Sequence, residues 1–270
     1  MGSVVRVGAV AYDPKVVTIW EGMRQYFRES GVPTDYLLYS SYEAQVEGLL
    51  QGNVDIAWNT NLAYVRCQQR TGGRCQVLAM RNTDVDFTTR LLARRDSSVN
   101  GIEDLRGKRL ALGSADSVQA AILPLHYVRE AGLDPEGDLS LLRFDLDVGK
   151  HGDTGTSELE VLRALHQAEA DAGAIGHVTW LRELEAGHVN TDLVRSVWTS
   201  PAYCHCNFTA LPDFDPELAQ RWTKALLRMD YNDPKWRRIM ELEGVTLWLP
   251  GRKDGYDVLT TAVSEPAAHI

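Results

Sequence analysis

The chain has 270 residues, a formal charge of −9 from 28 Lys plus Arg against 37 Asp plus Glu, and a pI near 5.3. No overall positive field exists to attract nucleic acid or an anionic membrane, so an anionic partner has to be held by local geometry. No run of 18 or more apolar residues occurs, which leaves no candidate for a membrane-spanning helix, and the length suits two lobes of ordinary size, each with its own core.

Val4 to Ala11 reads as a buried strand and follows Met1-Gly2-Ser3 directly, without the basic and apolar regions of a secretion leader. That beginning suits a cytoplasmic protein if the chain is native in full, and a periplasmic or extracellular one if a leader has been removed. Asp13-Pro14 signals a helix start, and Val16, Ile19, Trp20, Met23 and Phe27 repeat at helical spacing over Lys15 to Ser30. Tyr36 to Tyr39 predicts a second strand, Ser41 to Gln51 a second helix, and Val54 to Trp58 a third strand ahead of Asn59-Thr60-Asn61 and a helix from Leu62. This β-α-β-α-β order is the grammar of a parallel sheet. Ligands of such sheets sit beyond the carboxyl ends of the strands, which singles out Tyr12, Ser40-Ser41, Asn59 and Asn61.

Strands at Gln76 to Met80 and Thr88 to Arg94 and a helical turn at Ile102 to Lys108 lead to a further strand, Arg109 to Leu112. Between it and a helix ended by Gly132 lies Gly113-Ser114-Ala115-Asp116-Ser117. The first turn of a helix offers unpaired N–H groups at the positive end of the dipole, and hydroxyls beside them complete an anion cradle. A plain N-cap by Ser114 or Asp116 explains the same residues, and Asp116 repels an anion unless it points away.

Leu141 to Phe144 reads as a strand, Gly149 to Thr156 as a polar Gly-rich loop carrying Lys150, His151 and Asp153, and Glu158 to Gln167 as a helix capped by Thr156 or Ser157. A strand at Ala170 to Ile175 ends in Gly176-His177, and a helix at Trp180 to Ala186, a strand at Val194 to Trp198 and a strand at Cys204 to Ala210 follow. In an extended Cys204 to Ala210, Cys204 and Cys206 share one face and His205 takes the other. Pro216 to Met229 and Pro234 to Leu242 are the C-terminal helices.

Four cysteines are too few for a disulfide scaffold; Cys67 and Cys75 bracket Thr71-Gly72-Gly73 and either pair in an oxidising compartment or stand as separate thiols. No G-x-S-x-G, H-E-x-x-H or P-loop pattern occurs, and no catalytic residue is assigned. No cofactor is expected. The alternative is a zinc or iron site at His151, His205 and Cys206, since imidazole and thiolate are the usual ligands, although the spacing matches no metal motif.

The C-terminal run Leu226-Leu227-Arg228-Met229-Asp230, Asp233-Pro234, Leu242-Glu243-Gly244, Trp248-Leu249-Pro250 and Gly255-Tyr256-Asp257-Val258-Leu259 adds a further signal, together with Gly48 to Ala57 and Ile102 to Leu112. In order and spacing these stretches resemble the phosphate/phosphonate-type ABC transporter substrate-binding proteins, of the type II periplasmic-binding-protein fold. The resemblance implies an α/β, two-lobed architecture with two crossing hinge strands and a ligand cleft between lobes. Residues 1–92 and 205–270 form the first lobe and residues 93–204 the second.

It also implies a binding protein rather than an enzyme, one that captures a small anionic ligand, phosphate- or phosphonate-like or another oxyanion, by hinge closure, with an ABC permease as further partner. The family's ligand-holding roles carry over to Tyr12, to Ser114 with Ser117, and to His151. Ala115 and Asp116 interrupt the family's run of hydroxyls, and His177 stands where amine-binding relatives place an acid, which argues against a cationic amine on the ligand. The full expected ligand-binding set is Tyr12, Asn59, Asn61, Ser114, Ser117, His151, His177 and His205. The alternative function is a cytosolic enzyme or metal-binding protein on the same fold, using His151, His205 and Cys206.

Overall fold

In the computed structural model, which describes residues 4–265, the chain folds into two units, one of residues up to Asp86 with Cys204–Tyr256, the other of Phe87–Tyr203 with the described residues after Tyr256. The first unit begins with β1 (Val5–Val10), α1 (Lys15–Glu29), β2 (Thr34–Tyr39), α2 (Tyr42–Leu50), β3 (Ile56–Asn59), α3 (Asn61–Arg70) and β4 (Gln76–Arg81). Helix starts follow local chemistry: the Ser41 hydroxyl accepts the Ala44 N–H and the Thr60 hydroxyl the Ala63 N–H, each at 3.2 Å.

β1 runs parallel to β2 and β3, as the β-α-β-α-β order predicts. The sheet is nonetheless mixed. Its order also includes β10 (Asn207–Ala210) and β11 (Trp248–Pro250), and β10 inserts antiparallel between β3 and β4 after the chain returns from the second unit. α1 and the later helices α7 (Pro216–Leu226) and α8 (Pro234–Glu243) bury one aromatic core, in which Trp222 stacks on Phe27 at 4.8 Å and Phe208 meets Trp222 edge-on at 4.9 Å.

The second unit holds β5 (Thr89–Arg94), β6 (Arg109–Leu112), α4 (Leu123–Glu130), β7 (Ser140–Arg143), α5 (Thr156–His166), β8 (Ala172–Gly176), α6 (His177–Glu185) and β9 (Val194–Thr199). Its sheet order is β7-β6-β8-β5-β9, with β6 parallel to β7 and β8, and β5 antiparallel to β8 and β9. Both faces are covered. Leu91, Leu110, Leu112 and Ala174 enter one apolar cluster, while Leu92, Ala111 and Ile175 enter the other, as the two-residue period of a strand requires.

Residues 87–92, expected in the first lobe, go with the second unit because β5 is hydrogen-bonded to β8 and β9. Phe87 and Tyr203, which bound the unit's long segment, exchange backbone hydrogen bonds at 2.9 Å. The described residues after Tyr256, also expected in the first lobe, group with the second unit too. The last helix, α9 (Tyr256–Ser264), is followed by Glu265, whose carboxylate meets His126 Nδ1 at 2.6 Å and accepts from Arg129 at 2.9 Å.

Candidate functional site

In the second unit β6 ends at Leu112, and the chain turns through Gly113–Ser117 into a helix running from Val118 to Glu130. The first turn is wide: Ala121 and Ile122 both donate to the Ser117 carbonyl at 3.0 Å, and α4 proper starts only at Leu123. Such π-type turns concentrate at functional sites. The Ser117 hydroxyl caps the helix by accepting the Ala120 N–H at 3.3 Å, and the Ser117 N–H donates to the Ser114 carbonyl at 2.8 Å. Both serines are buried, and the Ser114 hydroxyl donates to the Phe144 carbonyl over a long 3.4 Å. Gly113 cannot carry a side chain, because a Cβ there would stand 2.7 Å from the Ala120 Cβ and 3.0 Å from the Ser157 hydroxyl.

The Gly-rich loop closes on this turn through Asp116. One oxygen of that carboxylate accepts from the Gly149 N–H at 2.5 Å and the His151 N–H at 3.4 Å, while Asp145 accepts the Ala115 N–H at 2.7 Å. His151 is buried and takes φ +54°, and Gly152 takes φ +83° with its α-carbon pressed toward Ser117, where a Cβ would lie 2.6 Å from the hydroxyl. The helix after the loop starts on Gly155 at φ +70°, without the side-chain cap expected from Thr156 or Ser157, because the left-handed entry suits glycine. Ser114, Asp116, Ser117 and His151 are thus assembled from two segments more than thirty residues apart in sequence.

Residues not singled out from sequence line the same region. Glu158, buried in the first turn of α5, accepts from Gln119 Nε2 at 3.0 Å and from the Gly176 N–H at 2.9 Å. A carboxylate therefore does stand at the end of β8, supplied by α5 rather than by position 177. His177 opens α6, and its Nδ1 accepts the Thr88 N–H at 3.1 Å while the ring lies edge-on to Phe87 at 4.6 Å, which places any ring hydrogen of the neutral form on Nε2. The sequence signal for Glu158 was its place in a helix's first turn, where a carboxylate suits the dipole.

In the first unit Tyr12 is half-buried after β1, with Lys15 Nζ 5.6 Å from its ring centre. Asn59 is engaged inside the unit, accepting from Gln45 Nε2 at 2.8 Å and lying 3.8 Å from the Cys67 sulfur. Asn61 accepts the Leu62 N–H at 2.9 Å, and its buried Nδ2 has no hydrogen-bond partner among the described residues.

His205 belongs to a buried charged cluster of the first unit. Arg81 holds Asp84 with two bonds, Nε to Oδ2 at 2.7 Å and Nη2 to Oδ1 at 2.8 Å, and donates to the Glu243 carbonyl at 2.8 Å. Asp84 also accepts the Cys206 N–H at 3.2 Å, and its carbonyl accepts the His205 N–H at 2.8 Å. Burial alone would favour the neutral acid, but the charge and hydrogen bonds of Arg81, joined by His205, hold the Asp84 carboxyl well below the usual range. The Arg81-x-x-Asp84 spacing was its only trace in the sequence.

His205 Nδ1 lies 3.0 Å from the Cys206 sulfur, so these neighbours do not take opposite faces as expected. The reason is that the strand begins only at Asn207. Donor atoms of Asp84, His205 and Cys206 lie within 4.8 Å of one another, a set chemically able to hold zinc or iron, whereas His151 belongs to the other unit's loop. The Arg81 guanidinium, seated on both Asp84 oxygens, opposes a second cation there. None of the four cysteines forms a disulfide and all are buried, and burial pushes the Cys67 thiol up to about 12 and that of Cys204 to about 11.

Comparison with known proteins places these residues in a family context. Residues 9–256 match the family described as ABC transporter, phosphonate, periplasmic substrate-binding protein. A probable ABC transporter phosphite binding protein, PhnD1 of Prochlorococcus marinus, is 21% identical over 229 residues, 81% of this chain and 74% of that protein. The structure of PhnD1 in complex with methylphosphonate superposes with a TM-score of 0.71 at 18% identity, covering 96% of both chains. A Xanthomonas citri structure with bound ATP gives a TM-score of 0.74 at 24% identity, covering 97% of both chains.

Proposed function

The chain belongs to the periplasmic substrate-binding proteins of phosphonate ABC transporters, and we propose that its own ligand is a small phosphorus oxyanion of the phosphonate, phosphite or phosphate class. The observation that carries this reading is the turn Gly113–Ser117 at the carboxyl end of β6. Two buried serines stand there at the start of a long helix, and the loop bearing His151 is tied onto them through Asp116. Hydroxyl and imidazole donors at a positive helix end replace the water around an oxyanion, and neither a nucleophile nor an electron carrier is needed for capture. Ser114, Ser117 and His151 are the ligand contacts in this proposal. PhnD1 and its methylphosphonate are consistent with it. An ABC permease is the partner that would take the cargo onward.

Isothermal titration with methylphosphonate, phosphite and phosphate tests the proposal. Binding at micromolar Kd or tighter is expected for at least one, about −8 kcal/mol. Ser114→Ala with His151→Gln should weaken it by about a hundredfold, roughly two charge-assisted hydrogen bonds. Absence of binding to all three, or full affinity in the double variant, refutes the reading.

A further inference from the structure

Asp116 is an unusual member of an anion-binding turn. Its Oδ2 is taken by the Gly149 and His151 N–H groups, but its Oδ1 is buried and has no hydrogen-bond partner among the described residues, in a side chain whose residue is only 9% exposed. The Ser157 hydroxyl, wholly buried against Gly113, is likewise without a partner among them. A buried acceptor left unpaired costs free energy, and a carboxylate costs more than a neutral group, so such an oxygen is retained where something else supplies the hydrogen.

Resting on the proposed function, we infer that Asp116 Oδ1 accepts a hydrogen carried by the ligand itself and thereby selects the ligand's protonation state. A phosphonate, phosphite or phosphate monoanion has a P–OH that can donate to Oδ1 while its remaining oxygens accept from the serines. A sulfonate has no hydrogen to give at neutral pH, and its oxygens face the carboxylate as like charges. The dianion of the same phosphonate meets the same repulsion. Other charged or titratable groups on the neighbouring segments of this unit are Arg143, Asp145, Asp147, Lys150, His151, Asp153 and Glu158. Of these, Asp145 accepts from the Ala115 N–H, Asp147 from Thr154, and Glu158 from Gln119 and the Gly176 N–H. Asp116 is the carboxylate with an oxygen left over.

The test is calorimetric titration of the full chain with methylphosphonate and methanesulfonate, near pH 6 and near pH 8.5, repeated with Asp116→Ser and Asp116→Asn. Wild-type protein should prefer methylphosphonate by about a hundredfold or more, because a site built to pair with a ligand hydroxyl rejects the analogue lacking it. Its affinity should fall about tenfold per pH unit above the ligand's second ionisation, as the monoanion is depleted. Either variant should bring the two ligands within about tenfold of each other and flatten the pH dependence, since serine and asparagine can donate to an oxyanion. A variant that fails to fold leaves the other variant and the wild-type pH profile to decide.

Wild-type protein that binds methylphosphonate no better than methanesulfonate overturns the inference alone. So does a preference that survives intact in Asp116→Ser, or a tightening of both ligands by the same factor, which would reduce the carboxylate to general repulsion. Wild-type protein that binds no phosphorus oxyanion at either pH overturns the proposed function and this inference together.

Discussion

Replacing Asp84 by asparagine keeps the shape of the buried cluster and removes one charge. The Arg81 guanidinium would then face an amide, with Glu243 Oε1 at 3.4 Å left to balance it. Removing one partner of a buried pair typically costs about 3–5 kcal/mol, because the other charge stays desolvated. Asp84 also accepts the backbone N–H groups of Arg81 and Cys206, at 3.2 Å each, which an amide oxygen can still accept on one side only. The expectation is therefore toward the upper half of that range.

Urea unfolding followed by tryptophan fluorescence reports on it, since Trp20, Trp58, Trp222, Trp236 and Trp248 all lie in the first unit. At a slope of about 2–3 kcal/mol per M, the midpoint of that unit should fall by about 1.3–2.5 M. Arg81→Met combined with Asp84→Asn should lose less than the sum of the single changes, by about 1 kcal/mol or more. The folded pKa of Asp84 lies below its unfolded value, so its contribution is present above about pH 4 and is lost as pH falls through the folded value. Wild-type and Asp84→Asn midpoints should accordingly draw together as pH falls below about 4. A midpoint shift below about 0.3 M, or strictly additive changes, would show that the charged pair does not hold this region together.

The thiols of Cys67 and Cys204, raised by burial, should resist alkylation in native protein near pH 8 and react once urea opens the chain, as read by peptide mass mapping; rapid native labelling would contradict their burial. Gly152→Ala puts a Cβ where φ is +83° and the Ser117 hydroxyl is 2.6 Å away, and should cost about 1 kcal/mol of stability and about tenfold in methylphosphonate affinity. An unchanged calorimetric Kd would separate the loop from the ligand. Trp222→Ala removes a side chain with no exposed surface that stacks on Phe27, and should lower the first unit's stability by about 3–5 kcal/mol in urea titration. A loss under about 1 kcal/mol would mean that the core collapses around the gap.

The sites differ in how far they could be read in advance. Gly113–Ser117 was legible because a strand, a short polar turn and a helix are neighbours in sequence, and helix-start chemistry is local. Asp116 was legible as an anomaly but not as an acceptor, since its partners Gly149 and His151 come from a loop whose position depends on how β7 and α5 pack. The expectation that Cys204 to Ala210 alternates faces assumed a strand along its whole length. Pairing with β3 and β4 starts only from Asn207 on, and before it His205 and Cys206 are held by Asp84 while the Cys204 N–H donates to the Asp254 carbonyl.

Sequence by itself determined the α/β character, the order of strands and helices, the turn before the long helix and the family signature of the C-terminal run, because periodicity, capping and glycine placement act within a few residues. Tertiary structure decided the antiparallel insertion of β10, the assignment of residues 87–92 to the second unit, the Arg81–Asp84 pair beside His205, and the unmatched oxygen of Asp116. Each of those depends on which distant segments lie side by side. Hydrogen bonds and burial between segments far apart in the chain leave no periodic trace in it.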